Sequence, residues 1–350
     1  MGNKNAAAEA DIAKESGFSG IRIYENAAAA ADILKRGRFD DEEKAAAVRA
    51  IVADVRKNGD AALFSYCKKF DGAELCAENI AVTREEIAAA YDALSAELLA
   101  SMRRAAENIL AYHSRGALRD DVRTAAGRTT GYLWRAVESA GIYVPGGTAP
   151  LVSSVMMGVL PAKAAGVEHI YVCTPAKEGK VAPAVLVAAD LCGAEKVFKA
   201  GGAQAIAALA YGTESIPKVD VIAGPGNIYV TLAKKEVYGQ VGIDMLAGPS
   251  EILIIADGAQ EPKFVAADIL SQAEHDRLAR AILLTPDPAF AEKVAAEVSR
   301  QMRLLPRREI AEYSVQNAGG IILVKDLDEA CALANAIAPE HLELATENSE

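Results

Sequence analysis

The pattern of hydrophobic positions changes near residue 140 of this 350-residue chain. Before that point, apolar residues recur at the three- and four-residue spacing of amphipathic helices. An example is 45–55, which follows four acidic residues and stops at Asn58-Gly59. After it, short apolar runs alternate with helical stretches. Such alternation is typical of βαβ units, so it predicts an α/β fold with parallel sheets covered on both faces.

The individual elements follow from the same pattern. Thr83 and Glu86 have the spacing of a capping box, which predicts a helix that begins after Thr83 and extends toward His113. Strands are predicted at 79–83, 142–144, 170–173, 197–200, 219–223, 252–256, 281–284 and 320–324. Further helices are predicted at 60–69, 153–165, 182–191, 203–210, 227–237, 289–302 and 327–336, with another ending near 276.

Two positions stand out as internal boundaries, the change near residue 140 and a Gly/Pro cluster near 248. We therefore predict an N-terminal arm at 1–20, a discontinuous α/β domain formed by 21–140 and 251–350, and an inserted α/β domain at 141–250. The discontinuous domain would carry the catalytic and metal residues, and the inserted domain would carry the cofactor contacts.

Composition narrows the range of partners. Apolar residues make up 51% of the chain and charged residues 24%, an ordinary globular balance, and the net charge of −11 disfavours nucleic acid and anionic membranes. No apolar run approaches the roughly 18 residues that a membrane span needs, and the polar N-terminus does not read as a signal peptide. The five cysteines are scattered, as in a reducing compartment. We therefore predict a cytoplasmic protein whose partner is a small molecule.

Glycine-rich turns follow three of the predicted strands, at 141–148, 201–206 and 224–227. Helix N-termini after such turns offer free N–H groups and a positive dipole end, which suit a pyrophosphate. None of the three turns contains G-x-G-x-x-G, so the dinucleotide fingerprint is incomplete. The turns predict either a ligand site at the carboxyl edge of a sheet or plain packing.

Three of the four histidines directly follow a glutamate. Glu168-His169 lies at the entry to a predicted buried strand, so the dipeptide alone is not diagnostic. Glu340-His341 follows Pro339, which can hold the pair at a defined turn. An imidazole titrates near neutrality and a carboxylate can activate water, so this pair is a candidate for proton transfer.

The remaining Glu-His pair lies beside a candidate metal site. Gln272 and His275 share one face of the predicted helix by i, i+3 spacing, which suggests half of a metal site or a histidine that interacts with the helix dipole. Ser250 lies in the polar loop 242–251 without a nearby base in sequence, so it is a hydrogen-bonding or capping serine rather than a nucleophile.

Taken together, several blocks resemble the signature blocks of the L-histidinol dehydrogenase family. They occur in the family's order, and the resemblance extends from about residue 20 to residue 350, at 143–147, 201–207, 224–227, 242–254, 271–275 and 339–343. The resemblance implies two Rossmann-like, aldehyde-dehydrogenase-like α/β/α domains. It also implies four-electron oxidation of L-histidinol to L-histidine by NAD, a bound zinc ion and a homodimer of intertwined subunits.

The same resemblance implies roles for particular residues. Glu340 would activate the water that attacks the aldehyde, and His341 would be the general base. Zinc would be bound by Gln272 and His275 and would orient the substrate. The implied substrate contacts are Ser250, Gln272, His275 and His341, and the implied cofactor contacts are Tyr143, Gln204 and Asn227.

The sequence departs from the family at its end. The resemblance implies a further stretch after the position of Glu350, which in the family supplies an aspartate and a partner-subunit histidine that complete the zinc site. We therefore expect the 350-residue chain to bind zinc weakly and to have little dehydrogenase activity. Two alternatives are a paralogue that oxidises another small alcohol, such as a sulfonated diol, and an inactive truncated form that only binds ligand.

Overall fold

The structure, a computed structural model, describes residues 19–34, 42–116, 118–146, 151–246, 248 and 250–349. The strands in these ranges are β1 (Ile23–Tyr24), β2 (Asp121–Ala125), β3 (Arg128–Tyr132), β4 (Ser139–Tyr143), β5 (His169–Cys173), β6 (Lys196–Phe198), β7 (Val221–Ala223), β8 (Gly242–Ile243), β9 (Glu251–Ala256), β10 (Arg280–Thr285), β11 (Gly320–Leu323) and β12 (His341–Ala345). The helices are α1 (Ala31–Leu34), α2 (Glu42–Asp71), α3 (Arg84–Asp92), α4 (Ala96–Ser114), α5 (Val152–Ala164), α6 (Pro183–Cys192), α7 (Gly202–Tyr211), α8 (Ile228–Val237), α9 (Pro262–Ala273), α10 (Pro288–Met302), α11 (Arg308–Ala318) and α12 (Leu327–Ile337).

The described residues form two compact units. The central unit comprises those within 40–247, and the terminal unit comprises those within 1–39 and 248–350. This division differs from the predicted one, which joined 21–140 to the C-terminal part of the chain. The reason is packing: the apolar stripe of α2, including Val52 and Leu63, shares one core with α7 and α8. The change of pattern near residue 140 marks a change of element type and not a boundary between units.

The central unit is built on a parallel sheet of order β6-β5-β4-β7-β8. Alternate strand residues face opposite sides. Tyr143 and Tyr171 pack with α2, α7 and α8, while Ile142 and Val172 pack with α5 and α6. Because both faces are buried, the strands read as short apolar runs, and the predicted strands after residue 140 are confirmed to within a few residues.

The terminal unit has its own parallel sheet, of order β1-β11-β10-β9-β12. One face, with Ile254 and Leu283, packs against α9 and α10. The opposite face, with Leu253 and Ile282, packs against α12. β12 lies at an edge of this sheet, paired only with β9 among the described strands. The predicted α/β class with parallel-rich sheets is therefore confirmed.

Several local predictions need correction. The single helix extending from Thr83 is two helices, α3 and α4, because Ser95 caps a second N-terminus. The predicted capping box at Thr83 is present, but 79–83 makes only one bridge pair, Ala81 with Phe198. Gly59, with φ +53°, breaks α2 at the predicted stop.

The antiparallel hairpin of β2 and β3 escaped sequence prediction. All ten of its strand residues are exposed, so no alternation of buried and exposed positions marks it. The predicted arm lies outside the described residues up to residue 18. None of the helices in the described ranges is long and apolar enough to cross a membrane.

Candidate functional site

The carboxyl edge of the central sheet gathers the three glycine-rich turns. Strand order reverses between β4 and β7, with β5 and β6 on one side and β8 on the other, and ligands bind at such switch points in open α/β sheets. Tyr143 is the last residue of β4, and Asn227 ends the turn after β7. Gln204 lies in the first turn of α7. The structure therefore places all three candidate cofactor residues on this edge.

Tyr143 and Gln204 are nearly inaccessible to solvent, with exposures of 2% and 1%. The Tyr143 hydroxyl accepts a hydrogen bond from the Gly202 N–H at 3.0 Å, which ties the end of β4 to the start of α7. Burial raises the pKa of Tyr143 to about 12, so the phenol remains a neutral donor at physiological pH. Gln204 lies beside the buried Cys67 thiol, whose pKa is raised to about 12 by burial and lowered by the Gln204 side chain. Both side chains thus support the turns from within the unit.

Asn227 is the N-cap of α8. Its Oδ1 accepts hydrogen bonds from the N–H groups of Tyr229, at 3.0 Å, and Val230, at 3.2 Å. The side-chain NH₂ is therefore the half of the amide that can donate to a ligand.

Close backbone approach explains the glycines of these turns. Gly224 has φ +120°, and a Cβ there would lie 2.1 Å from the Tyr143 carbonyl oxygen. A Cβ on Gly146 or Gly201 would meet Pro175 within 3 Å. The glycines therefore let these turns pack directly against neighbouring backbone, where a side chain would not fit.

In the terminal unit, the candidate catalytic residues lie at the amino edge of the sheet. Ser250 immediately precedes β9, and His341 begins the adjacent strand β12, opposite Ile252. The Arg280 N–H, at the start of β10, donates to the Ser250 carbonyl oxygen at 3.0 Å. Residues from three separate parts of the chain meet here, since β10, β9 and β12 are neighbours.

The surroundings of His341 favour one tautomer of the neutral ring. Its Nδ1 lies 3.1 Å from the Glu251 carbonyl oxygen. Because a carbonyl oxygen can only accept, Nδ1 carries the proton and Nε2 holds the free lone pair. A Glu340 carboxylate oxygen lies 3.9 Å from the same Nδ1, and the two side chains are 58% and 43% exposed. An open imidazole with a basic Nε2 beside a carboxylate can accept a proton from a bound alcohol or from water.

Gln272 lies in the last turn of α9, and His275 follows the end of that helix. α9 ends at Ala273, so His275 lies in the turn beyond the helix, and its N–H donates to the Gln272 carbonyl oxygen at 3.2 Å. Gln272 is buried at 8% exposure, and His275 is exposed. Among the described residues, no group of three or more His, Cys, Asp or Glu side chains is gathered around a point where a metal ion could bind.

The pair of carboxyl groups of Glu343 and Asp268 was not predicted from the sequence. Glu343 follows His341 by two residues, so both project from the same face of β12, and Glu343 contacts Asp268 of α9. Asp268 precedes Gln272 by one helical turn. Burial and then the Asp268 charge raise the pKa of Glu343. The sequence signal that could have shown that His341 and Glu343 share a face is the period-two spacing within 341–345.

The third Glu-His dipeptide, Glu168-His169, lies at the entry to a strand of the central unit, as predicted. His169 begins β5, at the amino edge of the central sheet, and its Nδ1 lies 2.6 Å from a Glu195 carboxylate oxygen. The carboxylate beside this histidine raises its pKa. The pair is a surface contact on the edge opposite the glycine-rich turns.

Comparison with known proteins identifies relatives across nearly the whole chain. The sequence model of the family described as histidinol dehydrogenase matches residues 34–350. Histidinol dehydrogenase from Moorella thermoacetica is 55% identical over 305 residues, which cover 87% of this chain and 72% of that protein. The Rhizobium meliloti enzyme is 51% identical over 317 residues, covering 90% and 73%.

A solved structure agrees with these relatives. Histidinol dehydrogenase from Elizabethkingia anophelis matches with a TM-score of 0.88 at 40% identity, over 94% of this chain and 76% of that one. The chain therefore spans about three quarters of the length of the relatives that it matches.

Proposed function

Since this chain belongs to the histidinol dehydrogenase family, we propose that it oxidises L-histidinol to L-histidine through histidinaldehyde, with NAD as hydride acceptor. Family membership makes the chain an oxidoreductase and fits a place in histidine biosynthesis. Beyond the family match, the observation that carries the proposal is His341, whose Nδ1 faces the Glu251 carbonyl oxygen so that Nε2 is left as a base. Glu340 beside it supplies the second proton acceptor.

The two oxidations use these groups in turn. In the first, Nε2 of His341 takes the hydroxyl proton while the carbinol carbon loses a hydride, and the aldehyde forms. In the second, the Glu340 carboxylate takes a proton from a water molecule as its oxygen bonds to the aldehyde carbon. The resulting hydrate is an anion, because its second oxygen carries no proton, and it becomes the carboxylic acid when its carbon loses a hydride. Each oxidation thus releases one hydride and one proton.

NAD would be held at the carboxyl edge of the central sheet. The convergent glycines and the α8 N-terminus fit a dinucleotide, with Tyr143, Gln204 and Asn227 as the candidate contacts. When bound, NAD supplies the hydride acceptor for both oxidations. The contribution of this chain is to orient the dinucleotide and to hold the protons at His341 and Glu340.

The candidate metal donors are incomplete by themselves. Gln272 and His275 offer one amide and one imidazole, whereas zinc binds about four ligands. Two neutral donors do not fit a closed zinc site, so neither oxidation is assigned a metal-dependent step. Elemental analysis of the purified chain is expected to find well under one zinc per chain. Stoichiometric zinc would contradict this.

NADH formation from histidinol tests the catalytic proposal. The reaction is followed at high enzyme concentration, because the incomplete set of metal donors predicts slow turnover. His341→Ala is expected to lower kcat by about 100-fold or more, the usual contribution of a general base. His169→Ala is the matched control, since that histidine lies in the other unit on an ion pair. Retained turnover in His341→Ala would remove this residue from the base role.

The incomplete donor set favours a second candidate, a form that binds substrate or cofactor without turnover. Binding of NAD or histidinol by calorimetry without NADH formation would support it. NADH formed from a sulfonated diol but not from histidinol would instead support the paralogue.

We also propose a homodimer. The exposed hairpin carries Val122 and Tyr132, and Trp134 follows it, at exposures of 52%, 71% and 49%. An isolated two-stranded hairpin is marginally stable, so contact with a second subunit would stabilise it. Light scattering of the purified chain measures this state.

A further inference from the structure

A buried ion pair lies behind the turn that carries Asn227. Lys234 is in α8 with its side chain 3% exposed, and it pairs with the carboxylate of Asp244, which is 33% exposed. A buried ammonium is costly unless it is paired and hydrogen-bonded. Replacing a buried ion pair with apolar residues often leaves stability unchanged or increases it. A gain in stability therefore does not explain why this pair is present.

Both members of the pair bind the same residue. The Lys234 ammonium donates to the Gly224 carbonyl oxygen at 3.0 Å. The Asp244 Oδ2 accepts from the Gly224 N–H at 2.8 Å, and its Oδ1 accepts from the Met245 N–H at 2.6 Å. The two peptide groups of Gly224 are thus held by opposite charges that are themselves bound to each other.

Gly224 is the point at which this turn meets the neighbouring strand. Its φ of +120° is a conformation that residues with side chains rarely adopt, and a Cβ at this position would lie 2.1 Å from the Tyr143 carbonyl oxygen. Three residues later, Asn227 caps α8, the helix that carries Lys234. Gly224 is therefore linked to α8 in two ways. The chain runs from Gly224 through the cap residue Asn227 into the helix, and Lys234 of the helix donates back to the Gly224 carbonyl oxygen.

We propose that Lys234 and Asp244 are positioning residues that hold the 224–227 turn in the shape that binds the dinucleotide. The inference rests on the proposed cofactor site, since it names what fixes that site's geometry. Neither residue needs to touch the cofactor. They fix the position of Gly224, and Gly224 in turn sets where Asn227 lies relative to Tyr143.

A second buried ion pair of the same unit provides a matched control. Lys199 is 8% exposed and lies 2.6 Å from Glu86, which is 37% exposed, in close resemblance to Lys234 and Asp244. The Glu86 side chain binds Lys199 and the Thr83 N–H, and within the described part of the chain it makes no hydrogen bond or ion pair with the 224–227 turn. Asp244→Asn and Glu86→Gln therefore remove equivalent charges at different places.

The experiment measures NAD binding by titration calorimetry and the urea midpoint for wild type and both variants. Both substitutions are expected to lower the midpoint similarly. Only Asp244→Asn is expected to raise the NAD dissociation constant, by about ten-fold, the effect of weakening one charge-assisted hydrogen bond. Unchanged NAD affinity in Asp244→Asn, or an equal loss in Glu86→Gln, would overturn the inference.

A second pair of variants covers the case in which Asp244→Asn does not fold. Lys234→Arg keeps the charge and is expected to retain most of the affinity, whereas the double variant Lys234→Met, Asp244→Asn removes both charges. The double variant is expected to recover stability but not NAD affinity, because the Gly224 carbonyl group has lost its donor. Recovery of both would overturn the inference. Absence of NAD binding in the wild type would instead refute the proposed cofactor site, and the inference with it.

Discussion

Replacing Gly224 with alanine adds a Cβ atom that would clash with the backbone at the end of β4. The new Cβ would lie 2.1 Å from the Tyr143 carbonyl oxygen and about 3 Å from the carbonyl carbon and the amide nitrogen, all of them backbone atoms. The turn must move, and overpacking of this kind typically costs about 1–3 kcal/mol. The φ of +120° adds about 1–2 kcal/mol for a residue with a side chain. The expected loss of unfolding free energy is therefore about 2–5 kcal/mol.

Gly239→Ala separates the two contributions. Gly239 belongs to the same unit and has φ +94°, but a Cβ there would meet no heavy atom within 4 Å. It should lose only the conformational part, about 1–2 kcal/mol. Urea unfolding of both variants, followed by far-UV circular dichroism, measures the difference, which we expect to be about 1–3 kcal/mol in favour of Gly239→Ala. NAD affinity should fall in Gly224→Ala alone.

Equal losses of stability in the two variants would refute the reasoning. They would mean that the backbone conformation accounts for the whole effect and that the approach of the turn to Tyr143 adds nothing. An unchanged NAD affinity in a folded Gly224→Ala variant would likewise show that the turn does not shape the cofactor site.

Two further predictions concern titration. Burial and the neighbouring Asp268 raise the pKa of Glu343, so its contribution to stability is fully present below the ordinary carboxyl pKa and is lost as pH rises through the raised value. Glu343→Gln is therefore expected to raise the urea midpoint at pH 7.5 and to change it little at pH 4, and an equal gain at both pH values would contradict this. Among the cysteines, Cys76 and Cys331 are exposed, whereas burial raises the pKa of Cys67 to about 12. Iodoacetamide at pH 8 should modify two thiols in the native chain and five in urea, counted by intact mass, and a third rapid modification in the native chain would show that a buried thiol is reached.

Sequence periodicity was most informative where a strand is buried on both faces. The run at β10, Arg280–Thr285, is buried throughout and was assigned correctly. The hairpin strands β2 and β3 have no buried face, and in β12 Leu342 and Leu344 are exposed at the sheet edge. Patterns of burial are visible in a sequence only when burial follows a regular period.

The candidate site shows the same limit. Local spacing identified Glu340-His341 and the pair Gln272 and His275, but it placed His275 on a helix that ends before it. The tautomer of His341 depends on a carbonyl group of β9, which no local pattern reveals. The Lys234–Asp244 pair was also not predicted. Both residues hydrogen-bond to Gly224, and these bonds form only in the folded unit.

The sequence by itself determined the α/β class, the order of the elements after residue 140, the glycine-rich turns and the residue types available for proton transfer. These depend on short-range patterns: apolar runs, capping residues and backbone freedom at glycine. Only the tertiary structure decided which helices share a core with which sheet, that Ser250 and His341 lie at the starts of neighbouring strands, and that opposite charges hold the two peptide groups of Gly224. Strand order and long-range hydrogen bonds join residues far apart in sequence, and they are set by the packing of whole elements rather than by any local preference.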